Sequence, residues 1–189
     1  CSAASSRVLT GVFFDLAAIL APMSAILPTG SSIIQADECS TDCAGETNVG
    51  GEFNYSTAAA WFAPLATHGI SSSGYLPSNA ASGGFGGSDL DEPVGLNGAN
   101  FGIVNAGFVP GSGNGGLDND PLIQSSVLFT FTIVGWNPTA PLLAASIDPH
   151  SIYFTYGTSP DHVVNVPEPT SLLLLGVGLL GIAAFARRR

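Results

Sequence analysis

The sequence contains no lysine, and its four basic residues are Arg7, Arg187, Arg188 and Arg189. Against them stand 14 acidic residues, for a formal net charge of −10. Ahead of the last three positions only Arg7 could meet a phosphate backbone, which excludes nucleic acid as a partner class. Charged residues of both signs make up only 10% of the chain, while glycine alone accounts for 24 residues. Little charge with abundant Gly, Ser, Thr and Val predicts short strands joined by many turns rather than helices. Hydrophobic residues reach 46%, enough for a core, so wholesale disorder is excluded as well. The chain has no internal repeat.

The common catalytic signatures are also missing. There is no Gly-x-Ser-x-Gly elbow, no His-Glu-x-x-His and no phosphate-binding loop. The three histidines, His68, His150 and His162, are scattered, and a hydrolase needs a nucleophile, a base and an orienting group that converge. Ser71-Ser72-Ser73 lies among glycines and reads as a solvated turn. No catalytic residue and no cofactor is assigned.

Cysteine is scarce: Cys1, Cys39 and Cys43. The last two are close enough for a small-loop disulfide in an oxidising compartment. Free thiols are the alternative, and a zinc site would need two further ligands that the neighbourhood does not offer. Cys1 is left over, and lipidation of it as a first residue would duplicate the anchor described next.

One long apolar run is present, Leu172 to Ala186, and it carries no charge. It is slightly shorter than the ~18–20 residues of a comfortable bilayer span. Thr170 and Ser171 can extend it, and snorkelling arginines can cover the remaining mismatch. Arg187, Arg188 and Arg189 form a basic stop that stays cytoplasmic, so the preceding chain lies outside the cytoplasm. Such an orientation requires an export signal, expected upstream of Cys1. Just ahead of the run, Pro167 and Pro169 hold Glu168 on a stiff, extended stub that an enzyme can grip.

Pro167-Glu168-Pro169, the apolar helix and the terminal arginines, in that order, resemble the PEP-CTERM sorting signal of Gram-negative bacteria. That resemblance implies a partner: exosortase, a membrane-embedded cysteine protease and transpeptidase that processes such tails.

Along the chain, Val8 to Leu16 reads as a first strand and Ser31 to Ile34 as the end of a second. Ala17 to Leu27, broken by Pro22, reads as a strand-loop-strand passage. Gln35 to Gly50 is a polar loop. Gly51 to Ala63 begins as a strand at Phe53 and Tyr55. Gly69 to Gly98 reads as a long surface loop. Phe101 to Val109 and Ser151 to Tyr156 are further strands. Ser125 to Val134 is the clearest, with Val127, Phe129, Phe131 and Ile133 on one face. The expected architecture is all-β, an antiparallel β-sandwich followed by one C-terminal transmembrane helix. Residues 1–6 are a remnant of a signal-peptide end or a linker, 7–158 the exported domain, 159–166 a linker and 167–189 the sorting signal.

The ectodomain also resembles a family of exosortase-dependent surface proteins. The similarity rests on Val8-Leu9-Thr10-Gly11-Val12-Phe13-Phe14-Asp15, Gly50-Gly51-Glu52-Phe53-Asn54-Tyr55, Gly69-Ile70-Ser71-Ser72-Ser73-Gly74 and Gly113-Asn114-Gly115-Gly116. Pro121-Leu122-Ile123 and Phe154-Thr155-Tyr156-Gly157-Thr158 extend it. Cys39 and Cys43 fall outside that pattern. The resemblance implies a β-rich exported domain associated with exopolysaccharide or biofilm.

Oxygen ligands gather in two loops, at Asp89 and Asp91 and at Asp118 and Asp120. They are weak calcium candidates, because neither loop has the full calcium-loop spacing. Turn formation and solubility account for the same residues. Trp61, Trp136 and Tyr75 could stack on sugars, although core packing explains aromatics equally.

The function expected is that of a non-enzymatic surface or extracellular-matrix protein. It would be anchored transiently in the inner membrane, then processed by exosortase to reach the cell surface or matrix. The alternative is a carbohydrate- or calcium-binding secreted module, and behind it a secreted hydrolase.

Overall fold

The computed structural model describes residues 8–57, 66–73, 84–91, 98–110, 119–135, 147, 149–157 and 163–165. Among them the strands are β1 (Leu9–Phe14), β2 (Leu20–Ile26), β3 (Ser32–Ile34), β4 (Asn54–Ser56) and β5 (His68–Ser71). They continue with β6 (Ile103–Val104), β7 (Leu122–Gln124), β8 (Leu128–Ile133), β9 (Tyr153–Tyr156) and β10 (Val163–Asn165). The helical elements among the described residues are 3-10 turns at Ala36–Glu38, Gly50–Glu52 and Pro149–Ser151. The all-β expectation holds for this part of the chain.

β1 is the centre of an eight-stranded sheet. β9 runs along one of its edges, and β5 and β6 share the other. β10 closes one end of the sheet against β9, while β7 and β3 continue it beyond β6. β2 and β8 form a separate two-stranded ribbon.

Aromatic rings join the two layers. Phe129 of β8 meets Phe53 edge-on at 5.0 Å and Phe85 at 5.1 Å. Phe131 meets Phe85 at 5.2 Å and Tyr55 of β4 at 5.2 Å. Such pairs add to the stabilisation that burial already provides. Ala25, Cys43, Val49, Phe101 and Ile123 complete the core beneath them.

The structure corrects the expected topology in several places. Pairing is antiparallel except between β6 and β7, where Ile103 faces Ile123 and Val104 faces Gln124 in parallel. The chain between them exceeds the roughly dozen residues that a parallel crossover requires. The strands also divide unequally, into one large sheet and a two-stranded ribbon.

Pro22 does not break its segment. β2 runs through it, with a register shift between Pro22 and Ser24 that absorbs the irregularity. Of the stretch 101–109, only Ile103–Val104 is strand.

The Gly- and Ser-rich stretch after Thr67 is not all surface loop. β5 begins it, fully buried, and Ser71, Ser72 and Ser73 are each 2% exposed or less rather than a solvated turn. Ser71 and Ser73 find partners inside the sheet, where Ser71 Oγ lies 2.8 Å from the Thr10 carbonyl and accepts the Ser73 N–H at 3.0 Å, whereas Ser72 Oγ is buried without a hydrogen-bond partner among the described residues. Thr10 Oγ1 in turn donates to the Gly157 carbonyl at 2.9 Å.

Within the expected linker 159–166, Val163–Asn165 form β10 and pair with Tyr153–Thr155 of β9. The expected transmembrane helix lies outside the described residues. Among those residues, no helix is long and apolar enough to cross a membrane.

Candidate functional site

Three regions carry the chemistry that the sequence singles out. The first surrounds His68. Its β5 position places the ring against Phe14, stacked at 5.5 Å, and beside Tyr55 at 5.9 Å. Nε2 lies 3.0 Å from the Ala18 carbonyl, so this nitrogen carries a proton. Nδ1 lies 2.7 Å from Thr67 Oγ1, which is itself 2.6 Å from Asp15 Oδ1. Thr67 Oγ1 thus stands between Asp15 and His68, its single hydroxyl hydrogen available to one of them while the ring is neutral, and the three side chains meet where the end of β1 adjoins the start of β5.

Burial lowers the His68 pKa, opposed by the Ala18 carbonyl and the Asp15 charge. Both ring nitrogens are engaged, and the residue is 4% exposed. It is a packing histidine with a polar strap. His150 sits exposed in the turn Pro149–Ser151. His162 lies outside the described residues.

The second region joins the cysteine loop to residues 85–91. Cys39 and Cys43 are bridged by a disulfide, and both sulfurs belong to the core. Gly50 and Gly51 let the backbone of 86–88 approach closely. A Cβ on Gly51 would lie 2.0 Å from the Ser88 carbonyl oxygen, and one on Gly50 2.1 Å from that of Gly86. Glu52 follows, 8% exposed, and accepts the Leu90 N–H. Burial pushes its carboxyl up to about 7; Asp89 and Asp91 push the same way, against the backbone hydrogen bonds.

Asp91 turns to the cysteine loop. It accepts the N–H and the hydroxyl of Ser40, each at 3.1 Å, and also an amide hydrogen of Asn100. Between these segments opens a pocket of about 360 Å³, lined by Thr41, Asp42, Glu46, Asn48, Ser88, Asp89 and Leu90.

Three of the four calcium candidates lie among the described residues. Asp89 lines the pocket, while Asp91 is occupied by Ser40 and Asn100. Asp120 is close enough to Asp91 for that charge, after burial, to raise its pKa. Asp118 lies outside the described residues. Among the described residues no group of three or more His, Cys, Asp or Glu side chains could hold a metal ion. Trp61, Tyr75 and Trp136 also fall outside them.

The third region is the C-terminus. β10 ends at Asn165, at the edge of the large sheet. Pro167, Glu168, Pro169, Arg187, Arg188 and Arg189 follow, outside the described residues. These features together define the class of protein: a β-rich domain whose sheet runs into a C-terminal address.

Residues 165–189 match the PEP-CTERM protein-sorting motif. The chain therefore carries the signal of a PEP-CTERM protein, one exported and directed to exosortase for membrane-associated sorting toward the cell surface. Comparison with curated proteins gave no match, and comparison with solved structures gave none.

Sequence reasoning missed the meeting of Asp15, Thr67 and His68 and the Glu52 site. A signal for the second was present: Gly50-Gly51-Glu52 puts a carboxylate beside two glycines that admit a neighbouring backbone. Nothing in the spacing linked Asp15 to Thr67, because that contact exists only once β1 and β5 pair.

Proposed function

We propose that the β domain is the cargo of its tail, a non-enzymatic surface or extracellular-matrix protein. The apolar run 172–186 and the three arginines hold it transiently in the inner membrane. Exosortase then grips Pro167-Glu168-Pro169 and releases or transfers the domain outward. There it associates with exopolysaccharide or biofilm, as its resemblance to exosortase-dependent surface proteins implies.

The observation that carries this reading is the sorting motif at 165–189. Three features support the non-enzymatic part. His68 has both nitrogens engaged within the core. The cysteines near the pocket are joined to each other. Asp91 serves to fasten loops. The scarcity of basic residues suits a neutral or cation-bridged matrix better than a polyanion gripped directly.

Cell fractionation tests the proposal. The wild-type chain is expected at the surface or in the matrix, and Glu168→Ala in the inner membrane. Retention of both in the inner membrane, or surface delivery of both, would contradict it.

A further inference from the structure

The β2–β8 ribbon has an unusual surface for so acidic a chain. Residues 16–36 and 121–147 contain no Asp, Glu, Lys, Arg or His. The ribbon nevertheless exposes apolar side chains: Leu128 at 59%, Val134 at 54% and Met23 at 57%. Among the described residues β8 pairs with β2 alone.

The direction of the main-chain groups on β8 follows from two hydrogen bonds. The Val134 N–H donates to the Ile19 carbonyl, so Val134 turns its backbone toward β2. The Ala25 carbonyl accepts from Val49, so Ala25 turns away from β8, and so does its partner Phe129 turn away from β2. Alternation along the strand then points the N–H and C=O groups of Phe129, Phe131 and Ile133 at the outer edge. That edge carries no lysine, proline or bulge, the devices that keep strand edges apart.

We propose that β8 is the self-association edge of this chain, pairing antiparallel with β8 of a second copy about a twofold axis at Phe131. A row of main-chain donors and acceptors recognises an extended strand, and the absence of charge selects a neutral one. β8 itself meets both requirements. In the register centred on Phe131, Phe129 faces Ile133 of the second copy and Phe131 faces its own equivalent. All the outward N–H and C=O groups are then used. The opposite face of the joined ribbons sets Leu128 against Val134 and Thr130 against Thr132. The two most exposed apolar residues of β8 and its extension thereby cover each other, and the two copies meet along a stretch free of like charge. A register shifted by an odd number of residues would set the aromatic face against the outer face.

Disulfide trapping tests the edge and the register together. Thr130 and Thr132 would be directly opposite, at a spacing within reach of a disulfide. Full-length chains carrying Cys1→Ser with either Thr130→Cys or Thr132→Cys are solubilised in mild detergent and oxidised, separately and mixed. The proposal expects roughly an order of magnitude more cross-linked dimer in the mixture than in either variant alone. The double substitution Thr130→Lys/Thr132→Lys, which sets like charges across the axis, should make the chain monomeric by native mass spectrometry. Mixing it with Thr130→Glu/Thr132→Glu should restore a dimer. No excess of cross-link in the mixture would overturn the proposed pairing, as would a Lys variant that dimerises like the wild type.

Discussion

Asn165 stands opposite Tyr153 in the pairing of β10 with β9, and it is also the first residue of the sorting motif. Hydrogen-bonded sheet therefore reaches to within two residues of Pro167. The domain and its address meet with little slack between them. Prolines at both Val163 and Val164 would remove whichever N–H faces β9 and detach this edge strand. Limited proteolysis should then cut the variant between 158 and 166 while sparing the wild type there. The melting temperature should change little, because the strand is short and lies at an edge. Equal resistance of both chains would contradict the pairing.

Glu52 makes stability depend on pH. Its folded-state pKa of about 7 lies above the ordinary carboxyl value of 4.5, because burial disfavours the charge. The folded state therefore binds the proton more tightly than the unfolded state. The resulting stabilisation is complete below the ordinary value and is lost as pH rises through about 7. Glu52→Gln keeps the acceptor for the Leu90 N–H and removes the charge. Relative to wild type it should gain on the order of 1 kcal/mol at about pH 8, after allowance for solvent screening, and almost nothing at about pH 4. Denaturant melts at the two pH values check this. Comparing variant with parent at each pH cancels the opposite trend from His68, whose lowered pKa costs stability as pH falls. An equal difference at both pH values would refute the assignment.

Gly51→Ala should destabilise the domain because backbone, not a flexible side chain, occupies the space. The Ser88 carbonyl oxygen lies 2.0 Å from the ideal Cβ position. Overpacking of this kind costs about 1–3 kcal/mol, and chemical denaturation would measure it. Gly45→Ala is the matching comparison, with nothing within 4 Å and only its φ of +83° to strain. Equal losses at the two positions would contradict the close approach of residues 50–51 and 86–88.

Phe85 is fully buried and touches both Phe129 and Phe131, so it fastens the ribbon to the rest of the core. Phe85→Ala should cost about 3–5 kcal/mol, the usual range for an aromatic deletion in a core. Hydrogen exchange should show β2 and β8 losing protection before β1 and β9. Uniform loss across both layers would mean that the ribbon does not open separately.

How far the fold was legible follows from what each strand does with its side chains. β8 showed itself because Phe129, Phe131 and Ile133 alternate with Leu128, Thr130 and Thr132, and one of its faces is solvent. β5 was hidden for the opposite reason. His68, Gly69, Ile70 and Ser71 are all buried, and their polar groups find partners such as the Thr10 carbonyl that lie far away in sequence. Pro22 argued against a continuous strand. Its position opposite Phe131, beside a register shift, leaves its missing N–H without a ladder bond to make. The parallel contact of β6 and β7 depends on which edge the chain returns to, and local pattern does not carry that. The address at the C-terminus was the most legible feature of all, because Pro167-Glu168-Pro169, an uncharged run and three arginines act through composition and order.

The most direct test of the account is the C-terminal peptide mass of the mature protein in a host with exosortase and in the same host without it. The account predicts a mature chain ending near Glu168 only where the enzyme is present, and a chain still bearing Arg187, Arg188 and Arg189 where it is deleted. Retention of the three arginines in both hosts would contradict it and make the tail a plain anchor.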